Sequence, residues 1–289
     1  MKTIIVPLDF SIESLNGLNF AIMLAGKTGA NIKMVHVIEK NDNIDNEQLE
    51  KEHQLAKVQF DAILQKHKEK SNINFDLSYS IKEGKIFKEV ATLSESYDDA
   101  LIALSTHGAS GFEELFIGGN AYKITSHSKI PVITVRRSKI PSNIDKIVLP
   151  IQMTFQTREK VPYTVKLAKL FHSEIHLLTI SHSKNKSILK KLQQYSDQVV
   201  SYINKEKIPY KADHLQGENL TDITLDYSRS VNADLISIMT EQEQSLSNIL
   251  LGSYAHQMIN KAFIPVLSFP TYQLSLSTEG FRTTGQFSG

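Results

Sequence analysis

Residues 105–111 read Ser105-Thr106-His107-Gly108-Ala109-Ser110-Gly111, and the chain runs on to Gly118-Gly119-Asn120. Just before them stands Ala100-Leu101-Ile102-Ala103-Leu104, a continuous apolar run of the kind that forms a strand buried on both faces. Just after them Ala121-Tyr122-Lys123-Ile124 opens a helix. Glycines let the backbone turn with positive φ and let a ligand approach the main chain. A helix start offers unpaired N–H groups and a partial positive charge, which suits phosphate. A loop that needs glycine only to turn would carry the same letters. The rest of the chain has to decide between the two.

Upstream, Thr3 to Leu8 reads as a buried strand that ends at Asp9-Phe10-Ser11. Ser11 is a fair N-cap, and Leu15, Leu18, Ala21, Ile22 and Ala25 mark one face of the following helix. Ile32 to Ile38 is the second strand, and Asn46 to about Lys70 a long charged helix. Phe75 to Ile81 alternates as a third strand, and Gly84 opens a helix carrying Ile86, Val90 and Leu93. The quoted apolar run is the fourth strand and Pro131-Val132-Ile133-Thr134-Val135 the fifth. Strands alternating with helices predict right-handed crossovers and a parallel sheet covered on both faces.

The pattern then starts again. Lys146 to Ile151 repeats the first strand, with Pro150 in the place of Pro7. A helix follows from about Thr157 to Phe171, then a strand from Glu174 to Ile180 and a helix from about Lys186 to Lys205. Tyr210 to Leu215, Asp234 to Met239 and Pro265 to Phe269 repeat strands three to five. Gly118 recurs as Gly252 and Pro131 as Pro265, each 134 residues on. Equal steps identify a tandem duplication. Its seam is the polar linker Arg136-Arg137-Ser138-Lys139-Ile140-Pro141-Ser142-Asn143. The sequence therefore predicts domains at 1–138 and 144–272, with a Ser-, Thr- and Gly-rich flexible tail at 273–289.

Composition narrows the function classes. Lys and Arg number 32 against 31 for Asp and Glu, so no basic field marks a nucleic-acid partner. Cysteine is absent, which removes disulfides, thiolate catalysis and cysteine-ligated metals. No apolar run reaches the length of a membrane span, and the early Asp9 interrupts any signal-peptide core. The expected location is the cytoplasm.

Val6-Pro7-Leu8-Asp9-Phe10-Ser11, Val35-His36-Val37, Thr106-His107-Gly108-Ala109-Ser110-Gly111 and Ile130-Pro131-Val132 together resemble the universal stress protein family, in its tandem two-domain form. The resemblance covers the chain except its tail. It implies two Rossmann-like (adenine nucleotide alpha hydrolase-like) α/β domains, each a five-stranded parallel sheet with helices on both faces. It also implies a pseudo-two-fold body, because such domains pair through their last strands; a homodimer of the whole chain is a further possible partner. ATP or another adenine nucleotide, with Mg²⁺ possible beside it, is the implied ligand. Its implied contacts in the first repeat are Pro7, Leu8, Asp9, Val37, Leu104, Ser105, His107, Gly108, Gly118, Gly119 and Asn120.

The ATP-binding loop of the family has the form G-x-x-G, nine residues, then G-(S/T). Ser105 departs from the first glycine and Gly119 from the hydroxyl residue. The second repeat departs further: Gln152 stands for Asp9, Met239 for Ser105 and Gln242 for Gly108. Gly252-Ser253 is what survives there. The sequence thus points to one competent cleft and one degenerate one. Asp9 alternatively reads as a capping residue, Val37 as plain core, and His107 as a loop histidine without a catalytic part. The pair Asp98-Asp99 precedes the fourth strand at its amino end and reads as solvated capping. No residue is assigned to catalysis or to a metal, since no nucleophile elbow, Walker loop or three-ligand histidine spacing occurs. The expected function is regulatory nucleotide binding. A nucleotide-free interaction module with both clefts decayed is the alternative, and a slow ATPase is a third possibility.

Overall fold

The computed structural model describes residues 1–39, 45–69, 74–106, 118–136, 140–241, 243–245 and 248–271. The first half runs β1 (Thr3–Pro7), α1 (Ile12–Thr28), β2 (Asn31–Ile38), α2 (Asn46–Lys68), β3 (Leu77–Glu83), α3 (Ile86–Glu95), β4 (Ala100–Ser105), α4 (Gly119–His127) and β5 (Val132–Val135). The second half runs β6 (Lys146–Ile151), a 3₁₀ turn (Phe155–Arg158), α5 (Val161–Phe171), β7 (Glu174–Ser181), α6 (Lys186–Lys205), β8 (Tyr210–Gln216), α7 (Leu220–Ser230), β9 (Leu235–Met239), β10 (Glu243–Ser245), β11 (Asn248–Leu250), α8 (Ser253–Lys261) and β12 (Val266–Phe269). The hairpin β10–β11 has no forerunner in the sequence reading. The tail lies outside the described residues.

All the other strands join one sheet in the order β3-β2-β1-β4-β5-β12-β9-β6-β7-β8. Pairing is parallel within each half. It is antiparallel where β5 meets β12. There Ile133 faces Leu267, its own counterpart in the repeat, and Val132 and Thr134 face Ser268 and Val266 reciprocally. The pseudo-two-fold axis passes between Ile133 and Leu267, an isologous contact made within one chain.

Side chains alternate through the sheet as the pleat requires. Ile4, Val6, Leu101, Ala103 and Ile133 join Ile147, Leu149, Leu177 and Leu267 in one core that is continuous across both halves. On the opposite face two smaller cores lie apart, one under α3–α4 with Ile5, Val35, Ile102 and Leu104, one under α7–α8.

Two elements and one residue depart from the sequence reading. β3 starts at Leu77 rather than Phe75, whose ring instead packs 5.2 Å from His67. α5 starts at Val161 rather than Thr157, because Pro162 is tolerated in a first turn but not inside a helix. Asp99 is more than a solvated cap. It accepts from the amino group of Met1 at 2.6 Å and faces Lys166 of the second half at 3.6 Å.

The seam makes a direct test. Ile133 is 1% exposed and Leu267 0%, so Ile133→Glu would bury an unpaired carboxylate. We expect a loss of about 4 kcal/mol or more, seen as a lowered urea midpoint for the whole chain. An unchanged midpoint would refute the seam as a source of stability.

Candidate functional site

In the first half β1 leads to β2 on one side, while β3 leads over to β4 on the other. Strand order reverses between β1 and β4, and open parallel sheets place ligands outside the carboxyl ends of strands at such a point. A cleft of about 270 Å³ lies there. Its lining includes Pro7, Leu8, Asp9, Val37, Leu104, Ser105, Gly118, Gly119 and Asn120. Nine of the eleven residues expected from the sequence therefore converge. The other two, His107 and Gly108, lie outside the described residues.

The local backbone explains the shape. Leu8 N donates to Val35 O at 2.8 Å, keeping the chain in register for one residue beyond β1. Phe10 then turns it with φ 63°. Asp9 Oδ1 accepts from Ser11 N at 3.0 Å and Ser11 Oγ at 2.5 Å, and Ser11 Oγ in turn accepts from Ser14 N as the cap of α1. Asp9 thus braces the capping residue while its side chain stays exposed at the cleft. Its functional and structural readings are both physically present.

Val35, Val37, Ile86, Leu104 and Ile124 make an apolar wall. Gly118 N donates to Thr106 O at 2.6 Å, which sets the start of α4. No side chain caps α4, and its first turn carries no acidic residue. Among the described residues nothing stands within 4 Å of where a Cβ on Gly119 would be, so their packing does not require glycine there.

Seven described lining residues are not among those expected from the sequence: Ser14, Val35, His36, Ile86, Thr106, Ala121 and Ile124. Sequence reasoning also missed Gly17, which lets α1 approach β4 closely; a Cβ there would stand 3.1 Å from Ser105 N and 3.3 Å from Leu104 C. A glycine costing helix stability in mid-helix was the available signal. His36 Nδ1 lies 2.7 Å from Leu8 O, and a carbonyl only accepts, so that nitrogen carries the proton.

A family model described as the universal stress protein family matches residues 1–136 and again 143–270. The chain belongs to the universal stress protein family. No curated protein sequence matches it significantly. Among solved structures, a universal stress protein from Archaeoglobus fulgidus DSM 4304 aligns over 93% of this chain and 96% of its own, at 19% identity and TM-score 0.76. A protein of unknown function from Pseudomonas aeruginosa PAO1 aligns over 93% and 92%, at 14% identity and TM-score 0.69. At such identities these two likenesses speak for the fold.

In the second universal stress protein repeat the corresponding place is filled from within. Tyr254 stands 134 residues after Asn120. Its hydroxyl bonds Thr224 Oγ1 at 3.0 Å and also faces Gln152, the counterpart of Asp9. Burial pushes that hydroxyl well above the ordinary tyrosine value. The described lining of the neighbouring hollow comes from the segment after β6, from the end of β7 and the turn after it, and from α6 and α7, and includes no residue of β9 or α8.

Gly252 survives here for a packing reason. A Cβ on it would stand 2.8 Å from Glu241 Cβ and 3.0 Å from Glu241 O. Glu241, at φ 46°, accepts from Thr154 Oγ1 at 3.1 Å. Ser253 begins α8 and is exposed.

Lys160 holds the place of Gly17 and is 2% exposed. Its Nζ donates to Thr157 O at 2.6 Å and to Thr157 Oγ1 at 3.3 Å. Burial lowers its pKa to about 7, opposed by the charge of Glu241. From the ordinary 10.5 down to about 7, the native state therefore binds fewer protons than the unfolded chain. Stability is full above that window and is lost as pH falls through it. Lys160→Met should melt higher than the parent at pH 7, by about 4 °C more than at pH 9.5. Equal offsets at the two pH values, by scanning calorimetry, would refute the assignment.

Proposed function

We propose that this chain is a regulatory stress-response protein that binds an adenine nucleotide in the cleft of residues 1–138, with residues 144–272 as its structural partner. The observation that carries the reading is the convergence of three features at the strand-order reversal. These are an apolar wall from Val35, Val37 and Leu104, the Asp9 carboxylate, and the uncapped start of α4 at Gly118-Gly119-Asn120. An aromatic base suits the first, a ribose hydroxyl the second and a phosphate the third. His107 and Gly108 complete the proposed contacts.

Binding without rapid turnover follows from the lining. Among its described residues Asp9 is the one carboxylate, and neither Lys nor Arg occurs. Phosphoryl transfer ordinarily needs a held metal, a cation on the transferring group and a positioned base. Phosphate release from ATP should stay below about 0.1 s⁻¹, under the usual enzyme range. The interaction-module reading draws support from the filled second cleft, and predicts that no adenine nucleotide binds.

Calorimetric titration separates the two. Asp9→Ala should weaken binding about tenfold or more, the worth of a hydrogen bond to a charged group. Gln152→Ala should leave it unchanged. Gly119→Ser, which meets no steric obstacle among the described residues, should tighten it about fivefold by restoring a hydroxyl beside the phosphate. Equal losses from Asp9→Ala and Gln152→Ala, or no binding by the parent, would overturn the proposal.

A further inference from the structure

The first turn of α4 supplies backbone to the cleft, so whatever holds that turn bears on the site. The first N–H groups of a helix have no partner within it, and in α4 these belong to Gly119, Asn120 and Ala121. α4 is nine residues long, too short to stand on its own propensity, so its direction comes from packing. On one side Ala121 and Ile124 are buried in the first half's core with Leu104 and Val132. The other hold comes from across the molecule.

Tyr122 leaves its own half. Its ring packs on the second half's core, which contains Leu251, Ala255, Met258 and Ile259. Its hydroxyl accepts from Leu251 N at 3.3 Å. The ring also meets His256 edge-on, with centroids 5.2 Å apart and planes at 78°. His256 stands 134 residues after Tyr122, so one position of the repeat meets itself across the pseudo-two-fold axis. The donor is itself fixed: Leu251 is 7% exposed, and the next residue, Gly252, donates to Thr240 O at 3.0 Å.

A single hydrogen bond carries this anchorage to the cleft. Tyr122 N donates to Gly118 O at 3.0 Å, closing the first turn of α4. Fixing Tyr122 therefore fixes the turn between it and Gly118, which contains the three N–H groups. Gly118, Gly119, Asn120 and Ala121 line the cleft, and Tyr122 stands behind them. The field of a helix start acts over a single turn, and a hydrogen bond weakens steeply as it bends. A small rotation of α4 thus costs phosphate contacts while Val35, Val37 and Leu104 keep the apolar wall in place.

We infer that Tyr122 is a positioning residue for the first-half cleft: held by the second half, it aims the start of α4 at the phosphate. This rests on the nucleotide reading of the cleft given above. The second half then takes part in binding, although its own counterpart of the cleft is filled.

Titration of the purified full chain with AMP, and with adenosine by displacement of AMP, reads the phosphate and nucleoside parts separately. Tyr122→Phe keeps the ring and removes the bond to Leu251 N. It should weaken AMP about fivefold and leave adenosine within about twofold. Tyr122→Ala should weaken AMP about tenfold or more, again sparing adenosine. His256→Ala, in the other half and outside the cleft lining, should weaken AMP about threefold. Urea midpoints identify any variant that fails to fold, and Tyr122→Phe, one oxygen smaller, then carries the test. Equal losses for AMP and adenosine would reveal a general structural role and overturn the inference. So would unchanged AMP affinity in folded Tyr122→Phe and His256→Ala. Absence of AMP binding by the parent would instead sink the nucleotide reading, and this inference with it.

Discussion

The antiparallel contact between Ile133 and Leu267 is the constraint on which the molecule depends. Each half ends in a short strand whose residues are buried on both sides, Val132 to Val135 and Val266 to Phe269. Such a strand left as an open edge would expose apolar side chains and unpaired backbone together. Pairing the two ends removes both liabilities, and the covalent linker makes the event intramolecular. The continuous core under α1, α2, α5 and α6 follows from that join, since it needs the two sheets in one plane.

Symmetry at the seam makes the asymmetry of the clefts informative. Both halves keep the backbone device that ends the fourth strand and starts the next helix, with Gly118 N bonded to Thr106 O and Gly252 N to Thr240 O. What differs is side-chain volume. Gly17 and Asn120 leave space in the first half, and Lys160 and Tyr254 stand at the matching places in the second. A buried lysine with a depressed pKa is a standing cost to stability. Its location, in the half whose cleft is filled, is consistent with a place freed from ligand constraints.

Much of this was legible in the sequence because it is local or periodic. The apolar run at Ala100–Leu104, the glycines that follow and the recurrence of Pro131 as Pro265 each leave a mark within a few residues. Nine of the lining residues could be named because the motifs that hold them resemble those of the universal stress protein family. Gly17 and Lys160 were missed because their meaning lies in contacts between distant segments, α1 against β4 and the start of α5 against Glu241. The late start of α5 is legible in Pro162, which suits a first turn. Asp99 reads as a solvated cap in the sequence because nothing in its neighbourhood announces Met1 or Lys166.

The join also decides what the sheet can do next. With β5 and β12 spent on each other, its outer strands are β3 and β8. These carry Lys82, Glu83, Lys211 and Asp213, and β8 is exposed from Lys211 to Gln216. Charged outer strands of this kind are a known guard against strand addition by another chain. The fusion that doubled the sheet took up its two adhesive borders, and the borders left over are poorly suited to growth into fibrils.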